Sequence, residues 1–370
     1  MKGSYNISIM SIHFEKLQVA DIRMETADCV SISFSVPEEL KESFNFKQGQ
    51  YLTIRTRING EDVRRSYSIC SSPLEKELRI AIKKMPGGIF SGFANDLLKK
   101  GDWLDVMPPI GKFYTELHPE DSKEYMGFVS GSGITPLMSI IKTTLQTELT
   151  SSFTLVYGNR NRQSIIFKEE LEALKNRYMN RFRVIYLLSR EKTDATIHSG
   201  RIDAQKCSLL FDKYIMIKHT DAFFLCGPED MIFSVKEALE MRGIDQKKIH
   251  FELFTIPGKG RKALTDDKQQ TTVKKNTQSR ITVKIDGISI DFNLGFDGDA
   301  ILDAAINQGA DLPYACKGGV CCTCRAKLVE GEVDMDVNYG LEQDEIEQGF
   351  ILTCQSHPRT EKVVVDFDIK

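Results

Sequence analysis

Long apolar runs are missing from this chain. No stretch among its 370 residues approaches the ~18–20 consecutive apolar residues of a membrane helix, which excludes helical insertion into a bilayer. The opening residues MKGSYNISIM hold no apolar core and no small-residue cleavage site. No signal peptide is therefore expected, and a cytoplasmic location is. A dominant charge is missing too. Lys and Arg number 49 against 52 Asp and Glu, a net −3, so nothing in the overall balance favours nucleic acid as a partner. With 41% hydrophobic and 27% charged residues, the composition excludes a collagen-like or wholly disordered chain. At roughly 100–200 residues per domain, the length predicts two or three domains.

The near-neutral total hides an asymmetry. Residues 281–370 hold 17 Asp and Glu but 7 Lys and Arg, a balance of −10, which leaves +7 on residues 1–280. A basic body and an acidic tail domain are expected to attract each other, or one of them to dock on a partner. If charge guides that docking, it should weaken as salt rises. The nine cysteines are also unevenly spread, with four between Cys316 and Cys324. Without an export signal, clustered cysteines point to metal rather than to disulfides. Cys29, Cys70 and Cys207 are isolated and read as small apolar packing residues.

Three patterns follow one another along the chain. Up to about residue 118, the segments 30–36, 50–56, 65–71 and 78–84 are short β-branched runs broken by Gly or Pro, the pattern of an antiparallel barrel. From residue 119 to 257, short apolar strands alternate with helical stretches, which predicts a parallel α/β sheet. In the first of those helices Leu137, Met138, Ile141, Leu145 and Leu149 form the apolar face, and Pro136 suits the first turn. Residues 258–279 have few apolar positions and no period. They read as a flexible linker whose ends would lie about 25 Å apart. The last region, 280–370, opens with two strands around an Asp-Gly turn, continues with a short helix and the cysteine loop, and closes on the strand KVVVDFD. The fold class expected is multidomain: a β-barrel, an α/β domain and an α+β domain.

The strongest motif is ACKGGVCCTC, with Cys316, Cys321 and Cys324 spaced C-x4-C-x2-C and a distant Cys354. This is the plant-type ferredoxin spacing for a [2Fe–2S] cluster. Gly318 and Gly319 let the loop backbone approach the metal group. The alternative is four-cysteine zinc in a binding module without redox activity, but zinc sites usually pair two C-x2-C knuckles, and here Cys354 stands alone. Cys322 is surplus to the spacing and reads as packing.

Weaker motifs lie upstream. RSYSICS sets Arg65, Tyr67 and Ser68 on one strand. Arg can pair with phosphate, Tyr can stack on a flat ring, and Ser can hydrogen-bond a ring nitrogen. PGGIFSG follows, a Gly-rich turn of Gly87, Gly88, Phe90 and Ser91 that opens a helix and offers N–H groups to a pyrophosphate. GSGITP, with Gly131, Gly133 and Thr135, opens a second helix after a strand and suits a dinucleotide in the same way. YGNR and LLSR place Arg160, Ser189 and Arg190 at two strand ends, with Arg201 nearby. Arg190 or Arg201 can pair with a 2′-phosphate, and no acidic residue holds the Ser189-Arg190 position to claim a bare ribose. NADPH is therefore favoured, with NADH as the alternative.

Taken in this order, with FKQGQYL (46–52) and CGPEDM (226–231), these motifs resemble the ferredoxin–NADP reductase superfamily over residues 11–257. Residues 281–370 resemble a plant-type ferredoxin, with Tyr314 before the first ligand. The resemblance implies FAD held by Arg65, Tyr67 and Ser68, with its phosphates at Gly87 to Ser91. It implies a nicotinamide beside Cys226, Gly227 and Pro228, and Glu252 or Phe254 reaching toward the flavin. Tyr67, Ser68 and Cys226 become the expected catalytic positions, and Cys316, Cys321, Cys324 and Cys354 the ligands of the cluster. Reductases in this domain order serve oxygenases. VMPPIGKF, GSGITPLMSI and NYGLEQDEIEQGFILTCQSHP resemble the reductase components of ring 1,2-phenylacetyl-CoA epoxidases. That family implies a di-iron oxygenase as partner; another oxygenase, a desaturase or a free ferredoxin is the alternative acceptor.

Overall fold

The structure is a computed structural model and describes residues 13–193, 195–254 and 278–369. It contains two compact units, Glu15–Thr255 and a second formed mainly by the C-terminal residues. No helix among the described residues is long and apolar enough to cross a membrane.

The first unit begins with β1 (Glu15–Thr26), β2 (Cys29–Ser35), β3 (Tyr51–Ile58), β4 (Glu61–Ser68), β5 (Leu78–Lys83), helix α1 (Ile89–Asp96) and β6 (Trp103–Val106). The six strands pair antiparallel in the order β4-β3-β6-β1-β2-β5, and a bridge between Ile69 and Ile80 joins the two ends into a barrel. Alternation explains the packing. On β5, Leu78, Ile80 and Ile82 point into the barrel with Ile32, Leu52, Ile54 and Phe90. Arg79 and Ala81 face the other way. Two strands, β1 and β6, escape a reading from hydrophobic pattern. The long β1 changes register twice and so keeps no clean alternation, and β6 is short.

The same unit continues with β7 (Glu124–Ser130), α2 (Ile134–Thr147), β8 (Ser152–Asn159), α3 (Lys168–Arg177), β9 (Phe182–Leu188), α4 (Ala204–Lys213), β10 (Ala222–Gly227), α5 (Glu229–Glu240) and β11 (Ile249–Leu253). All five strands run parallel in the order β11-β10-β7-β8-β9. Strand order reverses at β7, so the crevice between the carboxyl ends of β7 and β10 is the topological switch point. The α2 pattern overshoots by two residues. The helix ends at Thr147, and Leu149 lies beyond it, 70% exposed. One apolar cluster runs from the barrel into this lobe, joining Cys70, Ala81 and Phe113 to Ile134, Leu137 and Phe224.

The second unit holds β12 (Gln278–Ile285), β13 (Ile288–Gly295), α6 (Ile301–Asn307), β14 (Arg325–Glu330), β15 (Val333–Met335), α7 (Gln343–Glu347), β16 (Phe350–Leu352), β17 (Ser356–Pro358) and β18 (Lys362–Asp366). Its main sheet is mixed, in the order β13-β12-β18-β14-β16, with α6 packed into the same core. The Asp-Gly hairpin is a turn with positive φ at both central residues, Asp286 at 51° and Gly287 at 74°. Strand β12 starts two residues inside the segment expected as linker; residues 258–277 of that segment lie outside the described residues.

Candidate functional site

Strand β4 carries the Arg-x-Tyr-Ser motif to the mouth of the switch-point crevice. Arg65 is exposed and donates to the Arg64 carbonyl at 2.6 Å; no carboxylate pairs with it among the described residues. The half-buried Tyr67 ring packs against Phe90, with centroids 5.4 Å apart. That contact brings the second motif to the first, because Phe90 lies in the first turn of α1. Burial raises the Tyr67 phenol well above its ordinary range, so it stays neutral. At the start of α1, Gly87 has φ 70°, and the Ser91 hydroxyl accepts from the Met85 amide (3.1 Å) and donates to the Gly88 carbonyl (3.3 Å). Ser91 therefore holds the shape of the turn, while amides at the helix start remain available to an anion.

Across the crevice, GSGITP forms the tight turn between β7 and α2. Gly133 has to be glycine, since a Cβ there would lie 2.1 Å from the Cys226 carbonyl oxygen. The turn is tied by the Thr135 hydroxyl to the Ser132 carbonyl (3.0 Å) and by the Tyr157 hydroxyl to the Gly131 carbonyl (3.0 Å). Cys226 and Gly227 end β10, and Pro228 leads into α5. Cys226 is fully buried, and burial, reinforced by Glu252, pushes its thiol far above the usual range. It is a neutral thiol.

Glu252 sits on β11 directly beside Cys226. The Ser68 hydroxyl of the barrel donates to its Oε2 at 3.2 Å. Desolvation lifts the Glu252 carboxyl to about 8, with the Ser68 bond acting the other way. Ser68, Glu252 and Cys226 thus meet from three strands. Phe254 lies just past β11, 41% exposed, and no described contact carries it to these motifs.

At the far strand ends, the backbones of 159–160 and 189–190 are stitched together by Ser189 N to Asn159 O (2.9 Å) and Arg190 N to Arg160 O (2.8 Å). Arg160, Arg190 and Arg201 are exposed and have no carboxylate partner among the described residues. Glu191, the nearest acid in sequence, is turned to Arg162. Hydrophobic pattern gave no sign of Asn159. Its carboxamide is buried beside the Tyr157 hydroxyl and makes no hydrogen bond of ordinary geometry.

In the second unit the four thiols stand as two facing pairs, Cys316 with Cys321 (Sγ–Sγ 3.2 Å) and Cys324 with Cys354. No three His, Cys, Asp or Glu among the described residues converge as they would around a single ion. The Gly318 amide donates to Cys316 Sγ at 3.3 Å. The Cys321 thiol, with the amides of Gly318, Val320 and Cys321, brings Cys316 down to about 6. Cys324 and the Gly319 amide lower Cys354 as well. Gly319 has φ 71°, and a Cβ there would lie 2.6 Å from the Val337 carbonyl. A loop of inward thiols and inward amides fits an anionic iron–sulfur group. Cys322 is half-buried beside it. A buried partner that the spacing did not reveal supports the loop: Glu345, 3% exposed, pairs with Arg325 next to Cys324.

Family models match three segments: an oxidoreductase FAD-binding domain over residues 16–114, an oxidoreductase NAD-binding domain over 129–237 and a 2Fe-2S iron-sulfur cluster binding domain over 283–359. One component of the 1,2-phenylacetyl-CoA epoxidase of Escherichia coli (strain K12) is 44% identical over 357 residues, which cover 96% of this chain and 98% of the relative. The chain belongs to this family of oxygenase reductase components. The ferredoxin reductase component of the Rhodococcus rhodochrous 3-ketosteroid-9-alpha-monooxygenase is 31% identical, covering 95% of this chain and 96% of its own length. Phthalate dioxygenase reductase has the same fold, with TM-score 0.57 and 23% identity over 96% of this chain and 98% of that one. As in that family, the cofactors are FAD, a nicotinamide dinucleotide and a [2Fe–2S] cluster.

Proposed function

We propose that this chain takes electrons from NADPH and delivers them to an oxygenase component, the di-iron oxygenase that epoxidises the ring of phenylacetyl-CoA. The observation that carries this reading is the end-to-end match to the E. coli epoxidase component, with all three cofactor segments in order. The flavin, when bound, accepts electrons in pairs and releases them singly, which matches a pairwise donor to a one-electron cluster.

The chain's own residues position and shield. Arg65 supplies a free cation for a flavin phosphate, the turn of Gly87 and Gly88 with the amides of Phe90 and Ser91 receives the pyrophosphate, the Gly88 amide itself being spent on the Met85 carbonyl, and Tyr67 and Ser68 border the ring. Ser68 and the neutral-leaning Glu252 provide a hydrogen-bond pair at the crevice, and the uncharged Cys226 thiol gives a polarizable wall without adding a charge. Gly131, Gly133 and Thr135 form the second phosphate turn, and Gly227 and Pro228 shape the opposite wall. Three unpaired arginines at the β8 and β9 ends, with Ser189, favour a 2′-phosphate and so NADPH. Asn159 joins them as a polar group awaiting a partner. Cys316 with Cys321 and Cys324 with Cys354 supply one thiolate pair for each iron. We place the activity in the cytoplasm, where nine free thiols are kept reduced.

Reconstitution tests the reading. The purified protein is mixed with NADPH, oxygen, phenylacetyl-CoA and a phenylacetyl-CoA oxygenase component, and the epoxide is assayed. Product is expected; NADPH-driven dye reduction without product would send the search to another oxygenase, desaturase or ferredoxin. A colourless, zinc-loaded protein would defeat the redox reading.

A further inference from the structure

The segment that carries the flavin motif does not stop at Ser68. Past Ile69 and Cys70 it enters the short 3-10 turn Pro73–Glu75, which packs against α2. Ser72, fully buried, donates through Oγ to Thr143 Oγ1 at 2.9 Å, and Thr143 donates onward to the Ser139 carbonyl at 2.6 Å. Glu75 Oε2 accepts both the Ser72 amide (2.8 Å) and Lys142 Nζ (2.9 Å). Lys142 Nζ also reaches Glu170 Oε1 of α3 at 2.9 Å, and its side chain is only 10% exposed. Burial alone would lower the lysine's affinity for its proton, but the two carboxylates hold it above the ordinary value. It is a cation held between the barrel and the nicotinamide lobe.

Both ends of this contact lead to the site. Ser72 lies four residues after Ser68. Thr143 lies eight residues after Thr135 on one rigid helix, about 12 Å along its axis. Besides the Ser68–Glu252 hydrogen bond, apolar contact joins the lobes, with Cys70, Ala81 and Phe113 packed on α2 and its neighbours. Apolar packing holds area but tolerates sliding, whereas a cation bonded to one carboxylate from each lobe, beside a hydroxyl pair, fixes one register.

We infer that Glu75, Lys142, Ser72 and Thr143 form a positioning joint that sets the distance between the flavin-motif strand and the nicotinamide-motif helix. This rests on the proposed NADPH-to-flavin reading. The joint touches neither cofactor motif directly; it acts through β4 and α2. Glu170 anchors Lys142 from within the nicotinamide lobe and does not cross to the barrel, so it serves as an internal control.

The test compares Glu75→Gln with Glu170→Gln in the full, cofactor-loaded chain. Flavin reduction at saturating NADPH is followed by stopped-flow, with NADP⁺ affinity, flavin content, melting temperature and nicotinamide–flavin charge-transfer absorption measured alongside. Glu75→Gln is expected to slow flavin reduction about tenfold, because small misplacements are costly in an oriented reaction. Its charge-transfer band should weaken, with NADP⁺ affinity and flavin content unchanged. Glu170→Gln should lower the melting temperature yet keep rate and band. If Glu75→Gln folds poorly, Thr143→Val reports on the same joint, and Thr143→Ser, which keeps the hydroxyl, should restore rate and band. Normal rate and band in both Glu75→Gln and Thr143→Val would overturn the joint alone. Failure of the unaltered protein to be reduced by NADPH would overturn the functional reading and the joint with it.

Discussion

Cys226 and Cys316 carry the same thiol in opposite settings. Cys226 ends a strand of a parallel sheet, enclosed by apolar neighbours and beside a carboxyl, and both influences keep its proton on. Cys316 lies in an irregular loop where backbone amides and a neighbouring thiol point at its sulfur, and these draw the proton off. On the proposed reading, one region needs a neutral wall next to bound rings and the other needs anionic ligands for iron. The difference lies in what surrounds the sulfur, since dense secondary structure uses up its amides in ladders and a glycine-rich loop leaves them free. In each facing pair of the loop one thiol, Cys316 or Cys354, is lowered in this way, while its partner, Cys321 or Cys324, is raised.

The sharpest way to break the comparison is to remove a ligand from the loop. Cys324→Ser should abolish reduction of the oxygenase acceptor and the iron–sulfur absorption, and leave NADPH-driven dye reduction by the first unit intact. A preserved acceptor rate would mean that the loop does not carry the electrons.

Changing the neutral thiol comes next. Cys226→Ala should slow flavin reduction by NADPH on the order of 10²-fold, and Cys226→Ser, which stays uncharged, should keep more of the rate. If the serine and alanine variants were equally slow, sulfur itself, rather than a neutral filled wall, would be required. At the strand ends, Arg190→Ala should weaken NADPH binding by about tenfold to a hundredfold through loss of a charge-assisted bond, with NADH binding nearly unchanged. An equal loss for both nucleotides would remove the argument for a 2′-phosphate site.

The smallest effect concerns Glu252. Its carboxyl is lifted from 4.5 to about 8 in the folded chain. Between those values the unfolded chain has released the proton and the folded chain still holds it, so stability should fall as pH rises from about 4.5 toward 8. Glu252→Gln should flatten that part of the thermal melting profile. An unchanged slope would show that Glu252 ionises normally.

Much of this is legible in the residues alone. C-x4-C-x2-C is a local pattern, and so are the Asp-Gly hairpin and the strand–turn–helix motifs at Gly87 and Gly131. Contacts between distant segments are not. Nothing in the spacing of Ser68 and Glu252, 184 residues apart, says that they meet, and only the barrel closing against the parallel sheet brings them together. The same holds for Lys142, which reads as an ordinary polar position on a helix until Glu75 and Glu170 close around it. Leu149 errs in the other direction: it continues an apolar period past the point where the helix has ended.

The division of labour between the two regions is tested most directly by counting electrons. The unaltered protein and Cys324→Ser are titrated anaerobically with NADPH while the flavin and iron–sulfur absorption bands are followed. The account predicts that the unaltered protein takes up one electron more than the variant, with the extra bleaching confined to the iron–sulfur band. Equal uptake by the two proteins would contradict it.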